Sequence, residues 1–120
     1  MNSLGRYKEA IECYDKALEL DPQNVEAWNC KGNSLGYSGK DKDALACYNR
    51  ALEINPNIDF VWCSKGVSLG ALGRFEEAID CCDSALRINP QYAEVWGNKG
   101  LFLKALGRNQ EAADSFRKFI

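Results

Sequence analysis

One spacing governs what this chain can fold into: 34 residues. Pro22, Pro56 and Pro90 are each 34 apart, and so are Trp28, Trp62 and Trp96. Gly5, Gly39, Gly73 and Gly107 keep the same step, as do Ala10, Ala44, Ala78 and Ala112, the pairs Lys31-Gly32, Lys65-Gly66 and Lys99-Gly100, and the run Leu35, Leu69 and Leu103. A repeat of this length marks a stack of small supersecondary units, none of which can bury its own apolar face without a neighbour. The register divides the chain into residues 1–24, the second half of a unit; 25–58 and 59–92, two whole units; and 93–120, an incomplete one.

Inside a unit, Trp28, Gly32 and Leu35 and then Ala44, Tyr48, Ala51 and Leu52 recur at steps of three and four, which line one face of a helix. Each unit is therefore two helices. Gly39 supplies the left-handed residue that ends the first, and Pro56 stops the second because proline cannot continue a helix and disfavours helical geometry just before it. Such short connections force neighbouring helices to run antiparallel. The pattern predicts seven helices near residues 6–20, 25–37, 41–54, 59–71, 75–88, 93–105 and 109–119. Gly32 with Ala44, Gly66 with Ala78 and Gly100 with Ala112 are expected where two helices approach closely, since a bulky side chain would force them apart.

Terminal units of a stack usually carry a polar capping face, and none is visible here. Phe116, Phe119 and Ile120 fall on the last helix where a next one would cover them, and Tyr7, Ile11 and Tyr14 fall on a first helix without its own partner. The expectation is an excerpt of a longer array whose apolar ends pair with other copies, a possible homo-oligomer.

Fifteen basic and seventeen acidic residues give a formal charge of −2, which offers no broad positive field to nucleic acid or anionic lipid. No apolar run approaches the ~20 residues of a membrane-spanning helix, and the opening Met1-Asn2-Ser3-Leu4-Gly5-Arg6 lacks a secretory apolar stretch. A soluble, cytoplasmic protein is expected, with no membrane or nucleic-acid partner. The chain contains no histidine, the commonest general base and metal ligand, and its serines have no base in sequence to activate them. It is read as no enzyme, with no cofactor and no metal. The six cysteines do not change that reading. Cys13, Cys47 and Cys81 sit one unit apart, beyond disulfide reach, and Cys81-Cys82 are adjacent instead of spaced as zinc ligands. All six are expected to be small buried or half-buried apolar residues of a reducing compartment.

The residues quoted above resemble the tetratricopeptide repeat pattern, in which Trp, Gly, Ala, an aromatic residue and Pro recur at fixed places. The first full unit supplies Trp28, Lys31, Gly32, Leu35, Ala44, Tyr48 and Pro56, and the second Trp62, Lys65, Gly66, Leu69, Ala78, Cys82 and Pro90. The third supplies Trp96, Lys99, Gly100, Leu103, Ala112 and Phe116. The resemblance covers essentially the whole chain and implies an all-α fold, a right-handed α-α superhelix of antiparallel hairpins. One departure is regular: Lys31, Lys65 and Lys99 stand where the family has Leu. Each is expected to pack its stem between helices and to lift its ammonium into water.

In this family the inner wall of the array is lined by the first helix of each unit, so the resemblance implies a peptide-binding groove there. The places that face it hold Glu26, Asn29, Asn33 and Tyr37, then Phe60, Cys63 and Val67, then Glu94, Asn98, Leu101 and Lys104. Asn29 and Asn33 are one turn apart and suit a peptide backbone; Tyr37, Phe60, Val67 and Leu101 offer apolar contacts; and Gly36, Gly70 and Gly97 are expected to leave a ligand room. Some relatives clamp the carboxylate tail of chaperones with two lysines, an arginine and two asparagines. Those places here hold Asn29, Asn33, Ser64, Glu94 and Asn98, so only Asn33 matches and the cations are missing. The expected function is a scaffold that binds a peptide or helix of a partner protein, and the alternative is a structural array associating through its ends.

Overall fold

The computed structural model describes the backbone of residues 3–120 and the side chains from Gly5 onward. Met1 and Asn2, which open the first partial unit, lie outside the described residues. Seven α-helices and no strand are found among the described residues. They are α1 (Ser3–Leu20), α2 (Val25–Tyr37), α3 (Asp41–Ile54), α4 (Asp59–Ala71), α5 (Phe75–Ile88), α6 (Ala93–Ala105) and α7 (Asn109–Phe119). Six of the seven keep the bounds that the punctuation predicts; α1 begins three residues early. The chain forms two compact units, residues 1–56 with α1 to α3 and residues 57–120 with α4 to α7.

In the first unit α2 packs against both α1 and α3; in the second, α4 and α5, α5 and α6, and α6 and α7 pack in succession. The turns inside the three hairpins share one device. Gly39, Gly73 and Gly107 are the only residues with positive φ among those described, at 85°, 79° and 79°. The residue after each returns its N–H to a carbonyl five positions back, as Lys40 does to Leu35 at 2.8 Å, which closes the helix end. Between repeats the device is different. The indole N–H of Trp28 donates to the carbonyl of Pro22, and that of Trp96 to the carbonyl of Pro90, both at 2.9 Å. In these two registers the Pro and Trp are thus two halves of one lock, which holds the incoming first helix to the chain that leads into it.

Close packing follows the repeat, with a variation in each hairpin. In α2–α3 the missing side chain of Gly32 makes room for the ring of Tyr48, whose Cε1 lies 2.6 Å from where a Cβ would stand. Tyr48 is almost wholly buried, and its hydroxyl donates to Asn33 Oδ1 at 2.6 Å, so the polar tip keeps a partner inside. In α6–α7 the ring of Phe116 takes the same place over Gly100. In α4–α5 the equivalent residue is Cys82, and with no ring to admit, Gly66 instead faces the Ala78 carbonyl, 3.3 Å from its would-be Cβ. The close glycine–alanine approach expected of the hairpins is seen directly in the middle one, and in the other two an aromatic ring is what lies nearest the glycine. A second exchange sets the last hairpin apart. Ala51 and Ala85 are fully buried, but their counterpart is Phe119, and it lies over Gly97 where the other units have Asn29 and Cys63.

Two expectations are corrected by these contacts. Phe116 is no end residue: its ring lies inside the last hairpin, beside the cluster of Ile79, Leu103 and Ala112. Cys13 is exposed, whereas Cys47 and Cys81 in the same register are buried. The reason is positional, because Cys47 and Cys81 face the first helix of their own hairpin and no described helix stands in that place beside α1. Cys63 and Cys82 are buried as well, and Cys30 is half-buried.

The three lysines are tied down more firmly than a snorkelling stem would be. Lys31 reaches Asp15 on α1 at 2.6 Å, and Lys99 reaches Asp83 on α5 at 2.7 Å. Each of the three also lies over the tryptophan three residues before it, at 5.5 to 5.7 Å from the ring centroid. The bridge joins a first helix to the helix before it. In the middle register the acidic place is taken by Asn49.

Candidate functional site

The residues expected to face a ligand all lie on the first helices α2, α4 and α6, and the structure sorts them into three groups. Glu26, Tyr37, Phe60, Val67, Glu94, Leu101 and Lys104 are exposed. Asn33 and Asn98 are half-buried, and Asn29 and Cys63 are buried.

In the first unit the wall is occupied by its own contacts. Asn33 accepts the Tyr48 hydroxyl and is committed to the core. Asn29 is 6% exposed and its Oδ1 has no hydrogen-bond partner, so it presents no amide to a passing backbone. Tyr37 stacks on Tyr7 of α1 with ring centroids 5.7 Å apart, which also ties down one of the residues expected at a bare end. Ile11 and Tyr14 are half-buried on the same helix.

The second unit is more open. Phe60 and Val67 on α4 are 40% and 47% exposed, and Leu101 on the neighbouring α6 is 57% exposed. They share a face because 60 and 67 are two turns apart and Leu101 occupies on α6 the register of Val67 on α4. Cys63 is on this helix yet packs inward, in one cluster with Cys82, Ala85, Leu86 and Val95. Burial, and after it the nearby Glu94 carboxylate, pushes its thiol up to about 11. Burial likewise raises Cys81 to about 11 and Cys82 to about 12. A protonated, enclosed thiol is a poor nucleophile, so these cysteines are packing residues. The Asn98 amide nitrogen donates to the Cys63 sulfur at 3.9 Å.

Two glycines read as leaving room for a ligand do not. A Cβ on Gly70 would collide with the ring of Phe102, and one on Gly97 would lie 2.8 Å from Phe119 Cδ1. The spacing places both on the correct helices, but the space beside them is filled by this chain's own aromatics. Of the residues assigned to the ends, Phe119 is about half exposed and Ile120 wholly so.

The sequence reading missed a feature on another face. Trp28, Lys31 and Leu35 floor a shallow cleft of about 510 Å³, walled by Asp43, Ala46, Cys47 and Arg50 of α3. The same register in the last hairpin forms a cleft of about 270 Å³, over Trp96, Lys99 and Leu103. There Lys118 leans over Trp96 at 4.3 Å. The signal was present in the register itself, which repeats Trp28, Lys31 and Leu35 as Trp96, Lys99 and Leu103. Among the described residues no group of three or more cysteines and carboxylates could hold a metal ion, and no helix is long and apolar enough to cross a membrane.

Family models described as TPR repeat match residues 2–36, and models described as tetratricopeptide repeat match residues 25–58, 60–92 and 81–114. No curated protein sequence matches the chain. Among solved structures, a crystal structure of MamA is 25% identical, with a TM-score of 0.90 over 97% of this chain and 68% of that one. MamA from AMB-1 is 30% identical, with a TM-score of 0.80 over 91% of this chain and 64% of that one. MamA from Desulfovibrio magneticus RS-1 is 23% identical over 97% and 66%, with a TM-score of 0.88, a likeness of fold alone. The chain spans about two thirds of the length of these solved chains.

Proposed function

The chain belongs to the tetratricopeptide repeat family, with about three and a half repeats of its all-α hairpin fold, and from that premise we propose how it works as a protein-interaction scaffold. Scaffolding of protein contacts without catalysis is the general role the family supports. The finer reading is that α4 and α6 hold a segment of a partner protein, an extended peptide or an amphipathic helix, against their exposed face. The observation that carries it is the group of Phe60, Val67 and Leu101, three large apolar side chains left in water on two adjacent first helices. Side chains of this kind are ordinary when scattered, but a shared face of them marks a binding surface. A cytoplasmic location belongs to the same proposal and is supported by six free thiols, which an oxidising compartment tends to pair.

A second reading, association between copies through the ends, draws on Ile120 and Phe119 and on the uncovered Cys13 of α1. One set of samples tests both. The native chain and a Phe60→Ala, Leu101→Ala double variant are each offered peptides selected from a random library, and their masses are followed by light scattering over a wide concentration range. The groove reading expects the double variant to lose at least tenfold in peptide affinity while its thermal unfolding is unchanged. A native chain that selects no peptide, with a mass that climbs with concentration, replaces the first reading by the second.

A further inference from the structure

The exposed face of α4 and α6 is electrically polar along its length. The two helices run parallel, because each is antiparallel to α5 between them. At their N-terminal end stand Asp59, the first residue of α4, and Glu94 in the first turn of α6. At the C-terminal end stands Lys104, in the last turn of α6. Asp59 is already engaged, its two oxygens accepting the Phe60 N–H at 2.8 Å and the Asn89 amide at 3.1 Å. Glu94 and Lys104 are both exposed. Glu94 holds on α6 the register that Phe60 holds on α4, and it stands two turns before Leu101, so it belongs to the same helical face as the apolar side chains. The α4 side of this face brings no cation of its own, for Lys65 lies over Trp62. Both α6 charges also suit that helix's dipole, acid at its start and base at its end, so the fold itself favours keeping them.

Resting on the reading that this face is the binding surface, we propose that it selects partner segments carrying two apolar side chains between a basic residue at one end and an acidic residue at the other. Phe60, Val67 and Leu101 take the apolar pair, Glu94 takes the base and Lys104 the acid. Glu94 and Lys104 are ten residues apart on one helix, about 15 Å at 1.5 Å per residue. An extended segment of about five residues covers that distance at ~3.3 Å each, and Ser64 and Asn98 lie along the path.

The test uses the whole chain and four synthetic five-residue peptides with the same two leucines. Their ends are arginine then glutamate, glutamate then arginine, both arginine, or both glutamate. Fluorescence anisotropy at low salt should show one mixed peptide binding about threefold to tenfold tighter than either like-charged one, with the gap closing at high salt. Glu94→Lys should shift the preference to the doubly acidic peptide, and Lys104→Glu to the doubly basic one. Both positions are exposed, so circular dichroism should report an unchanged fold. Binding that ignores end charge, or variants that leave the order of preference unchanged, overturns the polarity while leaving the apolar face as the site. Failure of all four peptides to bind, in a chain that also selects nothing from a library, overturns the face itself.

Discussion

Gly32 and Gly66 occupy the same register and look interchangeable, yet a methyl group added at each meets a different obstacle. At Gly32 it would press on Tyr48, a ring 2% exposed and pinned by its hydroxyl to Asn33, with nowhere to swing. Overpacking of that kind costs about 1–3 kcal/mol, more than the ~1 kcal/mol an alanine contributes over glycine inside a helix. At Gly66 the nearest atoms are the Ala78 carbonyl oxygen at 3.3 Å and Cys81 Cβ at 3.4 Å, and a shift of a few tenths of an ångström relieves both. Gly32→Ala should therefore lower the urea midpoint clearly and Gly66→Ala should leave it within error of the native value. Equal losses at both sites would mean that the rings do not set the helix spacing. Asn29 is the opposite kind of residue, a buried carbonyl oxygen with no donor, in the register where the next unit has Cys63. Deriving its burial from sequence was not possible, because asparagine is ordinarily a surface residue and the repeat register alone placed it on the open face.

Elements are where the sequence was most legible. Proline, glycine and tryptophan recur at fixed intervals, and each has a local job: stopping a helix, turning left-handed, or reaching back to a carbonyl six residues earlier. These jobs need no knowledge of the rest of the fold, and the bounds of α2 to α7 follow from them. What fills the space between elements is not local. That Phe102 would close over Gly70 and Phe119 over Gly97 depends on which neighbour's ring arrives there, and a 34-residue register is silent about a departure it contains only once. The candidate site was legible to the same degree: its helices and its exposed Phe60, Val67 and Leu101, but not the commitment of Asn33 to Tyr48. Helix α1 gives a direct check on element-level packing. Its Cys13 is exposed, while Cys47, Cys63, Cys81 and Cys82 are enclosed between paired helices. A thiol reagent in native buffer should modify Cys13 first and Cys30 more slowly, and reach the other four only with denaturant. Rapid modification of all six would mean that the hairpins open freely.

Across the whole molecule the enclosed thiols couple stability to pH. Cys63 and Cys81 are held at about 11 and Cys82 at about 12, all within residues 57–120. In the unfolded chain a thiol titrates near 8.5. Below that value both states keep their protons and stability is unaffected. Above it the unfolded chain loses protons that the folded chain still holds, so stability falls from about pH 9 until the folded thiols themselves ionise. The urea midpoint should be flat between pH 6 and 8 and decline between pH 9 and 11, and a Cys63→Ala, Cys81→Ala, Cys82→Ala variant should decline less. An identical slope in the variant would assign the alkaline loss to other groups. The trade of Ala85 and Cys63 for Phe119 and Gly97 reaches further than the stability of one hairpin. A duplicated chain invites the thought that its units are spare parts, free to be shuffled into longer or shorter versions. These two hairpins refuse it: α6 joined to a helix bearing alanine would leave a hole, and α4 joined to one bearing phenylalanine would collide with it. The heritable module is the matched pair of helices, so the permissible places to cut and rejoin this protein lie at its prolines and not at its glycines.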